Sequence, residues 1–131
     1  MKKLLLLCVF AVFTLIANAQ TDIRQTRPDF TQNPNATYRL FPTTNMWIFI
    51  KLNTADGRMW LVQYSTTAGD QVEIPLSRIE RAEESEKKDG RFTLYSTQNM
   101  YNFILLDQID GRLWQLQWST DRENNLVIPI N

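Results

Sequence analysis

The stretch Asn45-Met46-Trp47-Ile48-Phe49-Ile50-Lys51-Leu52, followed by Asp56-Gly57-Arg58-Met59-Trp60, determines the fold because the chain contains it twice. It returns 54 residues later as Asn99-Met100-Tyr101-Asn102-Phe103-Ile104-Leu105-Leu106 and Asp110-Gly111-Arg112-Leu113-Trp114. Residues 38–77 and 92–131 align without a gap, and 16 of their 40 aligned positions are identical. Such a repeat indicates one supersecondary unit present in two copies, which together bury a common core.

Each copy has the composition of β-strands. Residues 47–52 and 59–64 are rich in β-branched and aromatic residues, and shorter apolar segments flank them at 38–41 and 72–76. Proline removes a donor from the strand ladder, so the repeated Pro75 and Pro129 are expected in edge strands or at strand ends. The sequence therefore predicts an all-β fold in which each copy is an antiparallel meander of up to four strands.

The two copies are expected to pack against each other, because four strands with one apolar face cannot bury that face alone. This packing predicts a pseudo-twofold β-sandwich or a small closed barrel of about eight strands. Propeller blades of similar length are the competing interpretation. Two blades cannot close a ring, so that interpretation would require oligomerisation.

The turn between the two central strands of each copy determines which side chains share a face. Its Asp-Gly pair suits a three-residue hairpin loop, which places Thr54 opposite Arg58 and Leu52 opposite Trp60. Side chains opposite each other share a face, so this register predicts a core face of paired aliphatic and aromatic residues. The other face is then mixed and carries Trp47, Phe49, Lys51, Leu61 and Gln63. A four-residue loop would shift the register by one residue and exchange the two faces.

Residues 1–19 have the features of a secretory signal peptide. Two lysines precede an apolar run at 4–16 that is too short to span a bilayer, and Ala17-Asn18-Ala19 forms a small-residue cleavage site. Cys8, the single cysteine, follows Leu7 where a lipid-attachment signal has a small residue, which argues against lipidation. The sequence thus predicts export through the secretory pathway to the periplasm or the extracellular space.

The remaining chain divides by composition. Residues 20–37 are polar and are interpreted as an N-terminal arm, and residues 38–131 are interpreted as a single β domain. Within that domain a connector at 78–91 joins the repeats and contains ten charged residues out of fourteen. Ser77 with Glu80 has the form of a capping box, which permits a short connector helix, while a solvated linker explains the charges equally well.

Charge balance and residue types argue against several classes of function. Without the signal peptide, 12 basic and 14 acidic residues remain, and this balance argues against nucleic acid and anionic membrane surfaces as partners. No apolar run after residue 19 is long enough to span a membrane. The chain has no histidine and no cysteine other than Cys8, so the sequence predicts no metal site and no cofactor.

Paired carboxylates are the remaining route to catalysis. Asp56 and Asp110 recur in the two copies and could serve a glycosidase. Their place before a turn glycine accounts for both residues without catalysis. A carboxylate-dependent hydrolase is therefore the least favoured hypothesis, and the sequence is interpreted as that of a non-enzyme.

Three further pairs recur at positions that neither a turn nor a core demands: Asn45 and Asn99, Arg58 and Arg112, and Gln63 and Gln117. Structural roles explain them, because Asn can hold a turn, Arg can reach a carboxylate and Gln can bond a neighbouring backbone. The amides also suit binding, because Trp47 and Tyr101 would place aromatic rings beside them, a combination that fits a sugar or a peptide edge. These eight residues form the predicted ligand-binding site.

The leading hypothesis is an exported, non-catalytic binding or inhibitor module for an unknown protein or glycan. It requires that Trp47, Tyr101, Gln63 and Gln117 remain accessible to solvent. The alternative is a structural or assembly protein that associates through its sheet edges, for example as a homodimer.

The repeated motif also resembles that of small secreted proteins of unknown function from Bacteroidota-type bacteria. It runs Asn-Met-aromatic-x-Phe-x-x-Leu, then Asp-Gly-Arg-x-Trp and Gln-x-aromatic-Ser-Thr, and it covers both repeats. The first copy departs from the motif at Leu61, where the second copy has Gln115. The resemblance implies export from a Gram-negative cell and no particular activity.

Overall fold

The computed structural model describes residues 32–131, which form eight strands in two antiparallel sheets. Sheet A contains, in spatial order, β1 (Tyr38–Pro42), β2 (Ile48–Asn53), β3 (Met59–Gln63) and β4 (Val72–Ser77). Sheet B contains, in spatial order, β5 (Phe92–Ser96), β6 (Asn102–Asp107), β7 (Leu113–Gln117) and β8 (Leu126–Ile130). The predicted all-β fold is confirmed, with one meander for each repeat and the repeated prolines in the edge strands β4 and β8. The predicted signal peptide and residues 20–31 of the predicted arm lie outside the described residues.

The central hairpins have four-residue loops, so the predicted register is wrong by one residue. Leu52 pairs with Met59 rather than with Trp60, and Ile50 pairs with Leu61. The second copy shows the same shift. In sheet A the β2 residues Ile48, Ile50 and Leu52 lie on the core face as predicted. The β3 residues change sides, with Leu61 buried in the core and Trp60 on the outer side.

Asn53 accounts for the longer loop. Its Oδ1 accepts a hydrogen bond from the N–H of Ala55 (2.9 Å), and its carbonyl accepts one from the N–H of Gly57 (2.9 Å). Asp107 makes the same two bonds in the second copy, at 3.0 and 2.8 Å. Gly57 has a φ of 81°, in the left-handed region that glycine adopts without strain, as the Asp-Gly pair predicts.

The core fills the space between the two sheets. The buried apolar side chains come from β2 and β3 of sheet A, from β5, β6 and β7 of sheet B, and from the residue after β7, with one small residue from the connector. They are Ile48, Ile50, Leu52, Met59, Leu61, Phe92, Leu94, Phe103, Leu105, Leu116, Trp118 and Ala82. Because each sheet keeps its own four strands, the arrangement is a sandwich.

The two repeats bury opposite faces of the same meander. We call the front face the one that carries Ile50 in sheet A and the equivalent Ile104 in sheet B, and the back face the one that carries Phe49 and the equivalent Phe103. Ile50 is completely buried while Ile104 is half-buried, and Phe103 is buried while Phe49 is half-buried. The front face of sheet A thus packs against the back face of sheet B.

Equivalent back-face residues of the two repeats differ strongly in their exposure to solvent. Leu40 and Leu94 are 42% and 5% exposed, and Tyr38 and Phe92 are 53% and 0% exposed. A twofold axis between the repeats would bury the same face of both sheets. The repeats are instead stacked front to back, as neighbouring blades of a propeller are.

Contacts at the start of sheet B show how the chain produces this stack. The N–H of Phe92 donates to the carbonyl of Thr54 (2.8 Å), in the turn after β2. Arg39 Nη1 donates to Oγ1 of Thr93 (3.3 Å), which is the equivalent residue of the second repeat. At the other edge β4 lies against β8. The second meander is therefore laid over the first, with β5 against β2 and β8 against β4.

The connector forms one turn of 3₁₀ helix at Glu84–Glu86. The predicted capping box of Ser77 and Glu80 does not form, because Ser77 Oγ accepts a hydrogen bond from Arg81 Nη2 (2.9 Å). Arg81 and Arg91 are both buried, so the connector packs onto the sheets and is not wholly solvated. Among residues 32–131, no helix is long and apolar enough to cross a membrane.

Candidate ligand-binding cleft

Asn45 and Asn99 hold the tight turns that precede β2 and β6. Asn45 Oδ1 accepts a hydrogen bond from the N–H of Trp47 (2.9 Å), and Asn99 Oδ1 accepts one from the N–H of Tyr101 (3.0 Å). A threonine two residues earlier closes each turn through its hydroxyl. The recurrence of these asparagines thus has a structural explanation. Each turn uses only the Oδ1 atom of the side-chain amide.

The two asparagine turns meet at one end of the sandwich, where they border a cleft of about 460 Å³. The loop between β7 and β8 completes its wall. The lining side chains are amides, hydroxyls and aromatic rings: Asn45, Asn99, Tyr101, Asn102, Gln117, Trp118, Ser119, Thr120 and Asn124. The structure therefore brings together Asn45, Asn99, Tyr101 and Gln117 of the predicted site.

Two of the amides that line the cleft, Asn45 and Asn99, keep a donor that can bind a ligand. Within residues 32–131, no hydrogen bond involves Nδ2 of Asn45 or of Asn99, because both turns use the carbonyl oxygen of the side chain. Gln117 Nε2 makes a long bond of 3.3 Å to the carbonyl of Asn124. Asn102 Oδ1 accepts from Gln115 Nε2 (3.2 Å), which orients its own amide.

Two aromatic rings form the apolar wall of the cleft. The Tyr101 and Trp118 rings lie 5.4 Å apart between centroids and are tilted by 55°. Trp118 is buried and its Nε1 donates to the carbonyl of Met100 (3.2 Å), so it is a fixed support. Tyr101 is 49% exposed and presents its ring to solvent. Such an exposed ring on a rigid base suits stacking against an apolar ligand face.

Trp47 and Gln63 do not belong to this cleft. Trp47 lies on the back face of sheet A, with its ring 5.0 Å from the ring of Tyr64. Gln63 pairs with Ile48 and is on the front face, so the predicted grouping of Trp47, Phe49 and Gln63 on one face is wrong. The one-residue register shift is the cause, because it moves β3 residues to the opposite side of the sheet.

Arg58 and Arg112 lie at the opposite end of the sandwich, in the turns after β2 and β6. Arg58 Nε donates to Asp56 Oδ2 (2.9 Å). Arg112 Nη2 donates to Asp107 Oδ2 (2.9 Å) and to the carbonyl of Arg81 (2.8 Å). Both arginines therefore stabilise turns, and neither is close to the amide residues with which it was grouped.

The sequence reasoning missed a buried ion pair at that same end. Arg91 donates two hydrogen bonds to the Asp107 carboxylate, from Nε (3.1 Å) and Nη2 (2.9 Å). Burial opposes ionisation of Asp107, but hydrogen bonds from Arg91, Arg112 and two backbone N–H groups outweigh it and lower the pKa of Asp107 to about 2. Equivalent positions in the first repeat hold Thr37 and Asn53, and this change of residue type is the signal that sequence reasoning could have used.

A second concavity, of about 690 Å³, lies beside this ion pair. The connector, the turn after β6, β7 and β8 line it. The guanidinium groups of Arg81 and Arg112 lie 5.3 and 5.4 Å from the centroid of the Trp114 ring. Its arginines already bond carboxylates and backbone carbonyls. The amide cleft, where donors remain unused, is therefore the better candidate site.

The cleft offers neutral hydrogen bonding and an aromatic surface. No charged side chain is among the residues that line it. Residues 32–131 contain no cluster of three or more acidic, histidine or cysteine side chains placed to hold a metal ion. No protein-family profile matches the chain, and no curated protein or solved structure shows significant similarity to it. Function is therefore inferred from the geometry of the cleft.

Proposed function

We propose that the protein is an exported, non-catalytic binding module whose ligand is an uncharged glycan held in the amide cleft. The observation that carries the proposal is the meeting of Asn45 and Asn99, one from each repeat, beside the exposed ring of Tyr101. The two turns fix the positions of these amides before any ligand binds, so little side-chain entropy is lost on binding.

Amide and aromatic groups together match the surface of a sugar. A side-chain amide offers a donor and an acceptor, which suits the hydroxyl groups of a pyranose. An exposed tyrosine ring, such as that of Tyr101, can cover the apolar C–H face of the same ring. Because no charged side chain lines the cleft, we expect neutral sugars to bind in preference to uronic acids or sulfated sugars.

Binding without hydrolysis is proposed because glycosidases need two carboxyl groups at the scissile bond. The acidic residue that follows Thr120 in the loop between β7 and β8, Asp121, does not line the cleft. Its carboxylate oxygens accept hydrogen bonds from the N–H of Glu123 (3.2 Å) and from Asn124 Nδ2 (3.0 Å). It therefore serves as the cap of a short 3₁₀ turn.

The proposal can be tested by calorimetric titration with neutral malto-, cello-, xylo- and chito-oligosaccharides. We expect at least one of these series to bind. Tyr101→Ala should weaken that binding about five- to tenfold, because stacking on an aromatic ring is worth roughly 1 kcal/mol. Asn99→Asp keeps the Oδ1 acceptor that holds the turn and removes the Nδ2 donor, so it should weaken binding about tenfold without loss of the fold.

Asn33→Asp is the matched control. Asn33 Oδ1 accepts from the N–H of Asn35 (2.9 Å) in the same type of turn, and Asn33 does not line the cleft. This variant should bind as the wild type does. Binding to none of the four series, or binding that Tyr101→Ala and Asn99→Asp leave unchanged, would contradict the proposal.

Association through sheet edges has less support. Gln32 bonds both backbone groups of Leu40 on the outer edge of β1, so that edge is partly occupied. Pro75 and Pro129 interrupt the donors of the opposite edges. We therefore do not propose edge pairing as the function.

A further inference from the structure

Three asparagines of the cleft use their side-chain acceptor within the protein and leave their donor unused. Asn45 Oδ1 and Asn99 Oδ1 each accept a hydrogen bond from a backbone N–H, at 2.9 and 3.0 Å. Asn102 adds a third case, because its Oδ1 accepts from Gln115 Nε2 (3.2 Å). In the part of the chain that the structure describes, no hydrogen bond involves Nδ2 of these asparagines. The cleft therefore presents three amide donors in fixed positions.

Two of these donors belong to a single tight turn. The N–H of Asn102 donates to the carbonyl of Asn99 (3.1 Å). Thr97 Oγ1 donates to the carbonyls of both residues, at 3.0 Å each, and so holds the turn from its other side. These bonds exist before any ligand binds. Because a carbonyl oxygen has two lone pairs, one ligand carbonyl can accept from both side chains.

A hydroxyl group matches such a pair of donors less well than a carbonyl does. Each sugar hydroxyl is a donor as well as an acceptor, so a hydroxyl placed against two donors needs a further acceptor for its own hydrogen. A donor that is buried without an acceptor costs free energy. A carbonyl oxygen accepts without adding a donor. Among neutral sugars, the 2-acetamido sugars carry this group in their N-acetyl substituent.

The acetamido group also has an apolar end, its methyl group, and the cleft has an apolar surface beside the Asn99 donor. Asn99 Oδ1 holds the N–H of Tyr101, so the aromatic ring follows the same turn. The Tyr101 ring is 49% exposed and lies against the buried Trp118 ring. Contact with this ring removes the methyl group from water, which favours binding.

We propose that the glycan of the amide cleft contains 2-acetamido sugars, and that Asn99 and Asn102 donate to the carbonyl oxygen of an acetamido group. Asn45, from the first repeat, supplies the third donor to the adjoining part of the sugar chain. This inference rests on the proposed function, because it names the class of sugar for the same cleft. It fails by itself if the cleft prefers neutral sugars without an acetamido group.

Calorimetric titration with a matched pair of trisaccharides tests the inference. Chitotriose and cellotriose have the same rings and the same β-1,4 linkage, and they differ only in the acetamido or hydroxyl group at C2. We expect chitotriose to bind about tenfold more tightly, which corresponds to one well-made hydrogen bond. Deacetylated chitotriose, which has amines and no carbonyl, should bind no more tightly than cellotriose.

Variants test whether the asparagine donors cause this preference. Asn99→Asp and Asn102→Asp each keep the Oδ1 acceptor and replace Nδ2 by an oxygen. Each should lower the ratio of the chitotriose and cellotriose binding constants about fivefold, because the carbonyl loses one of its two donors. Asn33→Asp, outside the cleft, is the control and should keep the ratio of the wild type. Circular dichroism and thermal melting verify that all three variants fold.

Two kinds of negative result are distinguishable. Cellotriose that binds as tightly as chitotriose, or a preference for chitotriose that both cleft variants leave unchanged, would overturn the inference while glycan binding itself stands. Absence of binding by chitotriose, cellotriose, maltotriose and xylotriose alike would overturn the proposed function together with the inference.

Discussion

Asn53 and Asp107 hold the same turn in the two repeats, yet only Asp107 carries a charge. Each side-chain oxygen accepts a hydrogen bond from the N–H two residues further on, at 2.9 and 3.0 Å. Asp107 also binds Arg91, whereas the residue at that position in the first repeat is Thr37. The first repeat therefore shows that the turn forms without a charged side chain. In the second repeat the same turn also carries an ion pair.

Asp107→Asn should keep the turn and lose the ion pair. We expect this variant to lower the free energy of unfolding by about 3 kcal/mol at pH 7, because it leaves the buried Arg91 guanidinium partly uncompensated. Urea denaturation measures the change. Asp110→Asn is the control: Asp110 also accepts a hydrogen bond from Arg91 Nη2 (2.8 Å) but is 49% exposed, so its removal should cost no more than about 1 kcal/mol. Equal losses in the two variants would contradict this account.

Acid should remove the stabilisation that ionised Asp107 gives to the folded state. The pKa of Asp107 is about 2 in the folded protein against an ordinary value of 3.8, so its ionised form favours the folded state above pH 4. This stabilisation should be lost as the pH falls from about 4 to about 2. The difference in unfolding free energy between wild type and Asp107→Asn should therefore be constant above pH 5 and shrink by about 2 kcal/mol near pH 2. A difference that does not change with pH would contradict the assignment.

The two turn glycines should respond differently to alanine. Gly57 and Gly111 both have left-handed φ, 81° and 74°, so alanine should cost each turn about 1–2 kcal/mol. A Cβ on Gly57 would also lie 3.2 Å from Arg81 Cδ and 3.4 Å from the Phe92 ring, while one on Gly111 would meet nothing within 4 Å. Gly57→Ala should therefore destabilise by roughly 1 kcal/mol more than Gly111→Ala in thermal or urea unfolding.

Equivalent leucines provide a test of the front-to-back stack within one chain. Leu94→Ala should cost about 2–5 kcal/mol, because it removes a buried side chain from the core. Leu40→Ala should cost less than about 1 kcal/mol at concentrations where the protein is monomeric, because Leu40 is exposed. Urea denaturation at 1 μM compares the two. Similar costs would indicate that the repeats bury equivalent faces.

Local pattern was enough to predict the strands and the left-handed turn glycines. The pattern did not predict the register between β2 and β3. That register follows from a four-residue loop, which the Asn53 side chain holds by accepting a hydrogen bond from the N–H of Ala55.

The pattern also did not predict which face each sheet buries. In residues 47–52, Trp47 and Phe49 lie on one side with Lys51, and isoleucine or leucine lies on the other. Either face of a meander can be buried, and the packing of the two sheets against each other determines which face is buried in each repeat.

The site was predicted in part for a similar reason. Asn45 and Asn99 were identified because they recur, and both border the cleft. Asn124 and Thr120 were missed, because the loop after β7 closes over the asparagine turns only in the folded chain. Asn102 could have been noticed, since it is the polar residue at a position where the first repeat has the core residue Ile48.

Chemical-shift mapping by two-dimensional NMR tests the central claim, that the amide cleft binds an uncharged glycan, most directly. Labelled protein is titrated with the neutral oligosaccharide that binds best in calorimetry. The account predicts that the largest shifts occur at the side-chain amides of Asn45, Asn99 and Gln117 and at the backbone of Tyr101 and Trp118, with Trp47 and Arg112 unchanged. Shifts concentrated on the outer sheet faces or around Arg112, or no shifts at all, would contradict it.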